Sequence, residues 1–265
     1  MATPLSIDAI PYAWIRKELR LNRLLKRGSK IKQVRFVQEW LCYHGFKTGV
    51  DQDFGPATER QVRNFQKEKR FEQTGEVDEK TYTALVAPIL KALTPIRKRF
   101  SSFSEATLAY ARQHLALRPI EVGGQNKGPW VRMYMNGNEG IDYPWCAGFV
   151  SFILKQASAE SAFPMPIRGS WSCDSLAAQA KQVGAFVGEQ EINSGKVAKS
   201  DLDPVSIFLY RRTPTDWRHA GFASVFEEEI FETIEGNTND EGHRDGYEAC
   251  ARIRSYGEKD FILLG

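Results

Sequence analysis

The hydrophobic period changes once along this chain, and that change bounds the fold. Up to about residue 157, apolar residues recur at three- and four-residue steps. Val34, Val37 and Leu41 do so with Trp40 beside them, then Val62 with Phe65, Tyr82 with Leu85, and Ala106, Leu108, Ala109 and Tyr110. Cys146, Phe149, Val150, Ile153 and Ala157 continue the series. Each set marks one buried face of a helix. From His219 the segment HAGFASVF alternates as a strand does. Helices first and strands later argue for an α+β fold rather than a regular βαβ alternation. A chain of 265 residues, 42% hydrophobic and 26% charged, has an ordinary globular composition and holds one or two domains with real cores.

Turn and capping signals divide the chain. Residues 1–21 read as an N-terminal helical extension and 22–90 as a small all-helical unit. In that unit Gly45 closes the first helix, the Thr58 region caps the second and Asp78 caps the third. Residues 91–103 read as a linker, in a stretch punctuated by Pro88 and Pro95. The second domain occupies 104–265, after a capping-box pattern of Ser102 with Glu105. Arg16, Lys17, Arg20, Arg23, Lys26 and Arg27 read as a solvated helix face that would also suit an anionic envelope.

A net charge of +3 is too weak to point to nucleic acid. It suits a polyanionic surface. The first thirty residues hold no apolar run of signal-peptide length, being interrupted by Asp8, Arg16, Lys17 and Glu18. No stretch of about 18 apolar residues occurs, so no membrane span is expected. The expectation is a chain made in the cytoplasm without a signal peptide.

The four cysteines form no Cys-x-x-Cys pair and have no histidine at zinc spacing, so no metal and no cofactor are expected. Cys42, Cys173 and Cys250 read as small buried hydrophobes. Cys146 differs. It follows Pro144-Trp145 in YPWCAGFVSFIL, and proline fits a first helical turn. That puts the thiol at a helix N-terminus, which favours a thiolate nucleophile.

Such a thiol needs a base and a group to orient it. His44 and His114 read as surface residues, and His243 lies in the polar loop NDEGHRDG. His219 opens a strand. If this strand pairs with EEEIFETIEGNTN in a hairpin centred on Glu227, His219 faces Glu235, and Asn237 points the same way two residues on. Either Glu235 or Asn237 then orients the imidazole.

Two resemblances follow from these residues. The segment around LLKRGSKIKQVRFVQEWLCYHGF, GVDQDFGPATERQVRNFQKEKRF and TGEVDEKTYTAL resembles the three-helix peptidoglycan-binding domain of wall hydrolases. Its particular residues are Asp53, Phe54, Asn64 and Gln66, and Phe71 to Gln73 depart from the usual apolar-Pro turn. The second half resembles the CHAP family of papain-like, NlpC/P60-type cysteine hydrolases. It does so through EVGGQNKGPWVRMYM, YPWCAGFVSFIL, DLDPVSIFLYRR, RHAGFASVF and IEGNTN, with Asp203-Pro204 where the family usually has Gly-Asp.

The resemblance implies a papain-like cysteine hydrolase domain, with helices packed on an antiparallel sheet, preceded by a small all-α wall-binding domain. It implies Cys146 as nucleophile, His219 as base and later acid, and Glu235 or Asn237 as orienting group. Asn126, Asp142, Trp145, Trp171 and Trp217 are candidates for substrate binding, and Trp130 is a further aromatic near the motifs. The implied substrate is an amide of peptidoglycan, either N-acetylmuramoyl–L-alanine or a peptide bond of the stem or cross-bridge. The setting is the periplasm or cell wall, reached by phage-lysin release or by export as an antibacterial effector. An effector implies an immunity protein as partner. The alternatives are an inactive wall-binding protein and a cysteine amidase or transamidase of another substrate.

Overall fold

A computed structural model describes residues 6–202, 204–239 and 246–265. Asp203 and His243 lie outside the described residues. In chain order the helices are α1 (Ala13–Leu19), α2 (Lys32–Tyr43), α3 (Pro56–Glu68), α4 (Glu79–Ala92), α5 (Phe103–Leu115), α6 (Pro129–Tyr134), α7 (Cys146–Ser161), α8 (Cys173–Gln182) and α9 (Glu189–Asn193). The strands are β1 (Phe186–Val187), β2 (Ser206–Thr213), β3 (Asp216–Phe226), β4 (Ile230–Thr238), β5 (Glu248–Ser255) and β6 (Lys259–Leu263). The chain divides into two compact units, residues 1–94 with 120–140, and residues 95–119 with 141–265. The segment 120–140, which the sequence assigns to the second domain, therefore belongs to the first unit.

The first unit is helical. Val34, Val37, Trp40, Leu41, Val62, Phe65, Tyr82 and Leu85 are all fully buried, so the three-helix spacing marks its core. Helix α2 ends where Gly45 takes φ +88° and Phe46 N–H returns to the Leu41 carbonyl, a geometry that glycine adopts without strain. Asp78 caps α4, its carboxylate accepting from Thr81 N–H at 2.8 Å. Two expectations shift. Helix α3 starts at Pro56 after Gly55, because proline fits the first turn; Thr58 lies inside the helix, with its hydroxyl bonded by Gln38. Pro88 sits inside α4 rather than in a connector, and the carbonyl it leaves without an intrahelical donor belongs to half-buried Ala84. The basic residues expected on one helix face are split: α1 ends at Leu19, and Arg27 pairs with Glu59 at 2.5 Å.

A buried ionic cluster ties α1, α2 and α6 together. Arg132 donates to both oxygens of Glu18 at 3.0 and 2.8 Å, to Glu39 at 2.6 Å and to Glu139 at 2.8 Å. Glu39 has no exposed surface, and burial raises its carboxyl despite the pull of Arg132.

The second unit is α+β. Among the described residues, six strands form one antiparallel sheet in the order β1-β6-β2-β3-β4-β5. Helix α7 packs on β3 and β4, and α5 packs on α7. Ser102 caps α5 by accepting from Glu105 N–H, while the Glu105 carboxylate returns to Ser101 rather than to Ser102. His114 is fully buried, with Nε2 on Gln156 Oε1 at 2.8 Å. His44 is half-buried, with Nε2 on the Leu85 carbonyl at 2.8 Å. Neither is the surface residue the sequence suggests; in both, a polar ring edge finds a specific partner inside the fold. Phe208, Ala223, Phe231 and Phe261 form a core with Val187, Ile192, Leu202 and Tyr256. Among the described residues no helix is long and apolar enough to cross a membrane.

Candidate active site

Cys146 is the first residue of α7, and no side chain caps that helix. The sulfur therefore belongs to the N-terminal, positive end of the helix dipole. The residue keeps 5% exposure. Glycine is what lets α7 lie this close to the sheet. A Cβ on Gly236 would stand 2.7 Å from Phe149 Cβ and 2.8 Å from Trp145 Cζ3.

The β3–β4 ladder ends at the pair Gly221 and Glu235. Just beyond it, the Ala220 N–H and the His219 ring lie beside the Cys146 sulfur and favour its charge. His219 Nε2 meets Glu235 Oε2 at 2.8 Å, which leaves Nδ1 as the ring nitrogen for the thiol. The imidazole is 15% exposed and the Glu235 side chain is sealed.

Glu235 has more partners than His219. Arg254 Nε donates to Oε1 at 2.5 Å and Nη2 to Oε2 at 2.6 Å, and the Thr233 hydroxyl donates to Oε1 at 2.5 Å. Burial alone would favour the neutral acid, but Arg254 and then His219 hold the carboxyl far below its usual range. For His219 burial opposes the charge, yet Cys146 and Glu235 raise its pKa to about 9. The Cys146 thiol is lowered, first by a hydrogen bond from Cys173 and then, against burial, by His219 and Ala220. The arrangement favours charge separation between the Cys146 thiol and an imidazole that is backed by a carboxylate and a guanidinium.

The pairing register differs from the expected one. Gly221, not His219, faces Glu235, and Phe222 faces Ile234. A bulge at Val225, φ +53°, shifts the pairing near the turn. His219 reaches Glu235 diagonally. Asn237 does not join the imidazole. It takes φ +55°, its Oδ1 accepts from Trp145 N–H at 2.8 Å, and its Nδ2 donates to the Gly246 carbonyl at 2.6 Å. It holds the backbone immediately before Cys146.

The structure separates the other candidates. Trp145 is fully buried, its ring edge-on to Phe149. Trp217 is 6% exposed, donating from Nε1 to Asp260 Oδ2 at 2.8 Å. Both are core residues, placed there by ring size. Trp171 is 41% exposed, two residues before Cys173, and Asp142 is exposed. Asn126 and Trp130 are buried in the first unit and do not join this site. Among the wall-binding candidates, Phe54 is core. Gln66 is buried and bonds Thr74, Gly75, Glu76 and Thr81. Both therefore build the unit rather than face a ligand. Asp53 pairs with Lys30 at 2.9 Å, and exposed Asn64 bonds Gln61.

Three participants escaped the sequence reading. Cys173 reads in the sequence as a packing residue, although Ser172 before it is a capping residue that accepts from Ser175 N–H at 3.2 Å and sets Cys173, like Cys146, at a helix start. Arg254 gave a weak signal as a basic residue in an alternating strand. The Ala220 N–H gave none.

Comparison with known proteins separates the two units. Residues 31–85 match the family model described as a putative peptidoglycan binding domain. This match supports a peptidoglycan-binding domain in the first unit. No curated protein matches the chain.

Proposed function

We propose that the second unit is a cysteine hydrolase that cleaves an amide bond of the muramyl peptide. It would be of the CHAP-like, papain-related type, brought to its substrate by the peptidoglycan-binding domain. The observation that carries this reading is the Cys146 sulfur at a helix start, in contact with an imidazole that Glu235 holds by its far nitrogen.

In this reading the Cys146 thiolate attacks the amide carbonyl, and the backbone N–H of Cys146 stabilises the oxyanion. The His219 imidazolium protonates the leaving amine as the tetrahedral intermediate collapses to a thioester. Neutral His219 then takes a proton from water, whose oxygen attacks the thioester, and the acid product leaves with the thiolate restored. Glu235 keeps the ring oriented throughout, and Arg254 keeps Glu235 ionised. Exposed Trp171 is the aromatic placed to meet substrate. The chain would act in the periplasm or wall, as a phage endolysin or an exported antibacterial effector.

Zymography on purified sacculi with the wild type and Cys146→Ala tests this. Clearing is expected from the wild type alone, and clearing that survives the substitution refutes the thiol mechanism. Mass spectrometry of the released muropeptides identifies the bond.

A further inference from the structure

Two thiols, not one, occupy the site. The Cys146 and Cys173 thiols are neighbours that shift each other's acidity, both cysteines are free, and the two residues are 5% and 7% exposed. Independent contacts fix this juxtaposition. Asp174 accepts from Trp217 N–H at 2.8 Å, which ties the start of α8 to β3 two residues before His219. On the other side, Ser151 of α7 donates its hydroxyl to the Ser170 carbonyl at 2.7 Å and accepts from Ser170 N–H at 2.8 Å. The loop that delivers Cys173 is thus stitched to both elements that deliver the reactive pair.

We propose that Cys146 and Cys173 form a reversible disulfide when the protein meets a hydroperoxide, with Cys173 as the resolving thiol. The Cys146 thiolate attacks a peroxide oxygen, the O–O bond breaks, and the departing hydroxide takes the proton of the His219 imidazolium. Cys146 becomes a sulfenic acid. The Cys173 sulfur then attacks the sulfenic sulfur, its own proton leaves with the hydroxyl as water, and the S–S bond closes. One hydrogen peroxide and two thiols give one disulfide and two waters. A thiolate without such a neighbour proceeds to sulfinic acid, which thiols do not reverse. The disulfide is reopened by thiol exchange and leaves no sulfur nucleophile while it stands. Cys146 and Cys173 begin two different helices, and the segment between them is tied to α7 at Ser151, so the bond requires only a local approach of two neighbouring side chains.

Peptide mapping of the full chain tests the proposal without relying on turnover, so it holds or fails independently of the hydrolase reading. Trypsin releases Cys146 within residues 133–155 and Cys173 within residues 169–181, separate from Cys42 and Cys250. After stoichiometric hydrogen peroxide, the wild type is expected to show these two peptides joined, lighter by two hydrogens, and freed by dithiothreitol. In Cys173→Ser and Cys173→Ala, treated with at least two equivalents of hydrogen peroxide, Cys146 is expected to gain two oxygens that dithiothreitol does not remove. Wild-type protein that carries sulfinic acid at Cys146 with Cys173 free, or that links Cys146 to Cys250, overturns the proposal whatever the variants do.

Discussion

Replacing Glu235 with glutamine keeps the shape of the side chain and removes its charge. In the wild type, His219 is held at about 9 against an ordinary 6.5, although burial opposes the cation. That preference is worth about 3 kcal/mol, from roughly 1.4 kcal/mol per pH unit. Its sign follows from a raised pKa: the stabilisation is complete below the unfolded value near 6.5 and is lost as pH rises through about 9. Cys146 contributes the first part and Glu235 the second. An even division gives Glu235 about 1.5 kcal/mol, so His219 in Glu235→Gln should titrate about one pH unit lower. Glutamine retains an oxygen for Nε2–H, so the ring should stay in place. Arg254, 17% exposed at its side chain, loses its carboxylate, which adds about 1–3 kcal/mol of destabilisation.

The assay is a titration of the His219 ring by NMR in both proteins, alongside the pH dependence of Cys146 alkylation. The His219 midpoint should fall by about one pH unit, and clearing of sacculi should fall about a hundredfold at neutral pH. A His219 titration that superimposes on the wild type refutes the electrostatic role of Glu235, whatever happens to activity.

Three further outcomes follow from the same geometry. Gly236→Ala places a methyl 2.7 Å from Phe149 and should lower stability by about 1–3 kcal/mol in denaturant titration, with activity falling more than stability because Glu235 and Asn237 flank the site. Asn237→Gly keeps the positive φ but removes the bonds to Trp145 and Gly246; it should cost about 1–2 kcal/mol and lower kcat with little change in the His219 titration. Arg132→Met strands the carboxylates of Glu18, Glu39 and Glu139 and should cost about 3–5 kcal/mol at neutral pH. Those carboxylates would bind protons more readily folded than unfolded, so thermal melts should show the deficit shrinking as pH falls.

The sequence located Cys146 and His219 because each carries its own local signal. Proline before a cysteine at the head of an apolar helical stripe defines a helix start, and alternation defines the strand that presents the histidine. The helical core of the first unit was legible for the same reason: Trp40, Phe65 and Tyr82 obey a period that only burial explains. What escaped depends on contacts between distant segments. The guanidinium on Glu235 comes from β5, reached only after the sheet forms. Cys173 lies 27 positions after Cys146 and meets it because Ser151, Ser170, Asp174 and Trp217 fold the intervening chain back. The aromatic residues misled for the opposite reason, since large rings near a motif serve core packing more readily than ligand contact, as Trp145 and Trp217 do.

The hairpin shows why an imperfect register still led to the right pair. Three glutamates at the turn supply no residue that favours a positive φ, and the chain meets the sheet twist by bulging at Val225 instead. The turn centres between Glu228 and Glu229, and the bulge takes one residue back, so that beyond it the pairing differs by two residues from a centre at Glu227. Side chains alternate with period two, so an even shift leaves every residue on its face and changes only its partner. His219 and Glu235 became diagonal neighbours, a separation that an imidazole and a glutamate side chain span at 2.8 Å. Asn237 would have taken the position opposite His219, and its positive φ turns it out of the ladder toward Trp145. A shift by one residue would have sent Glu235 to the other face, away from both His219 and Arg254. The chemistry of the site thus depends on the parity of the register.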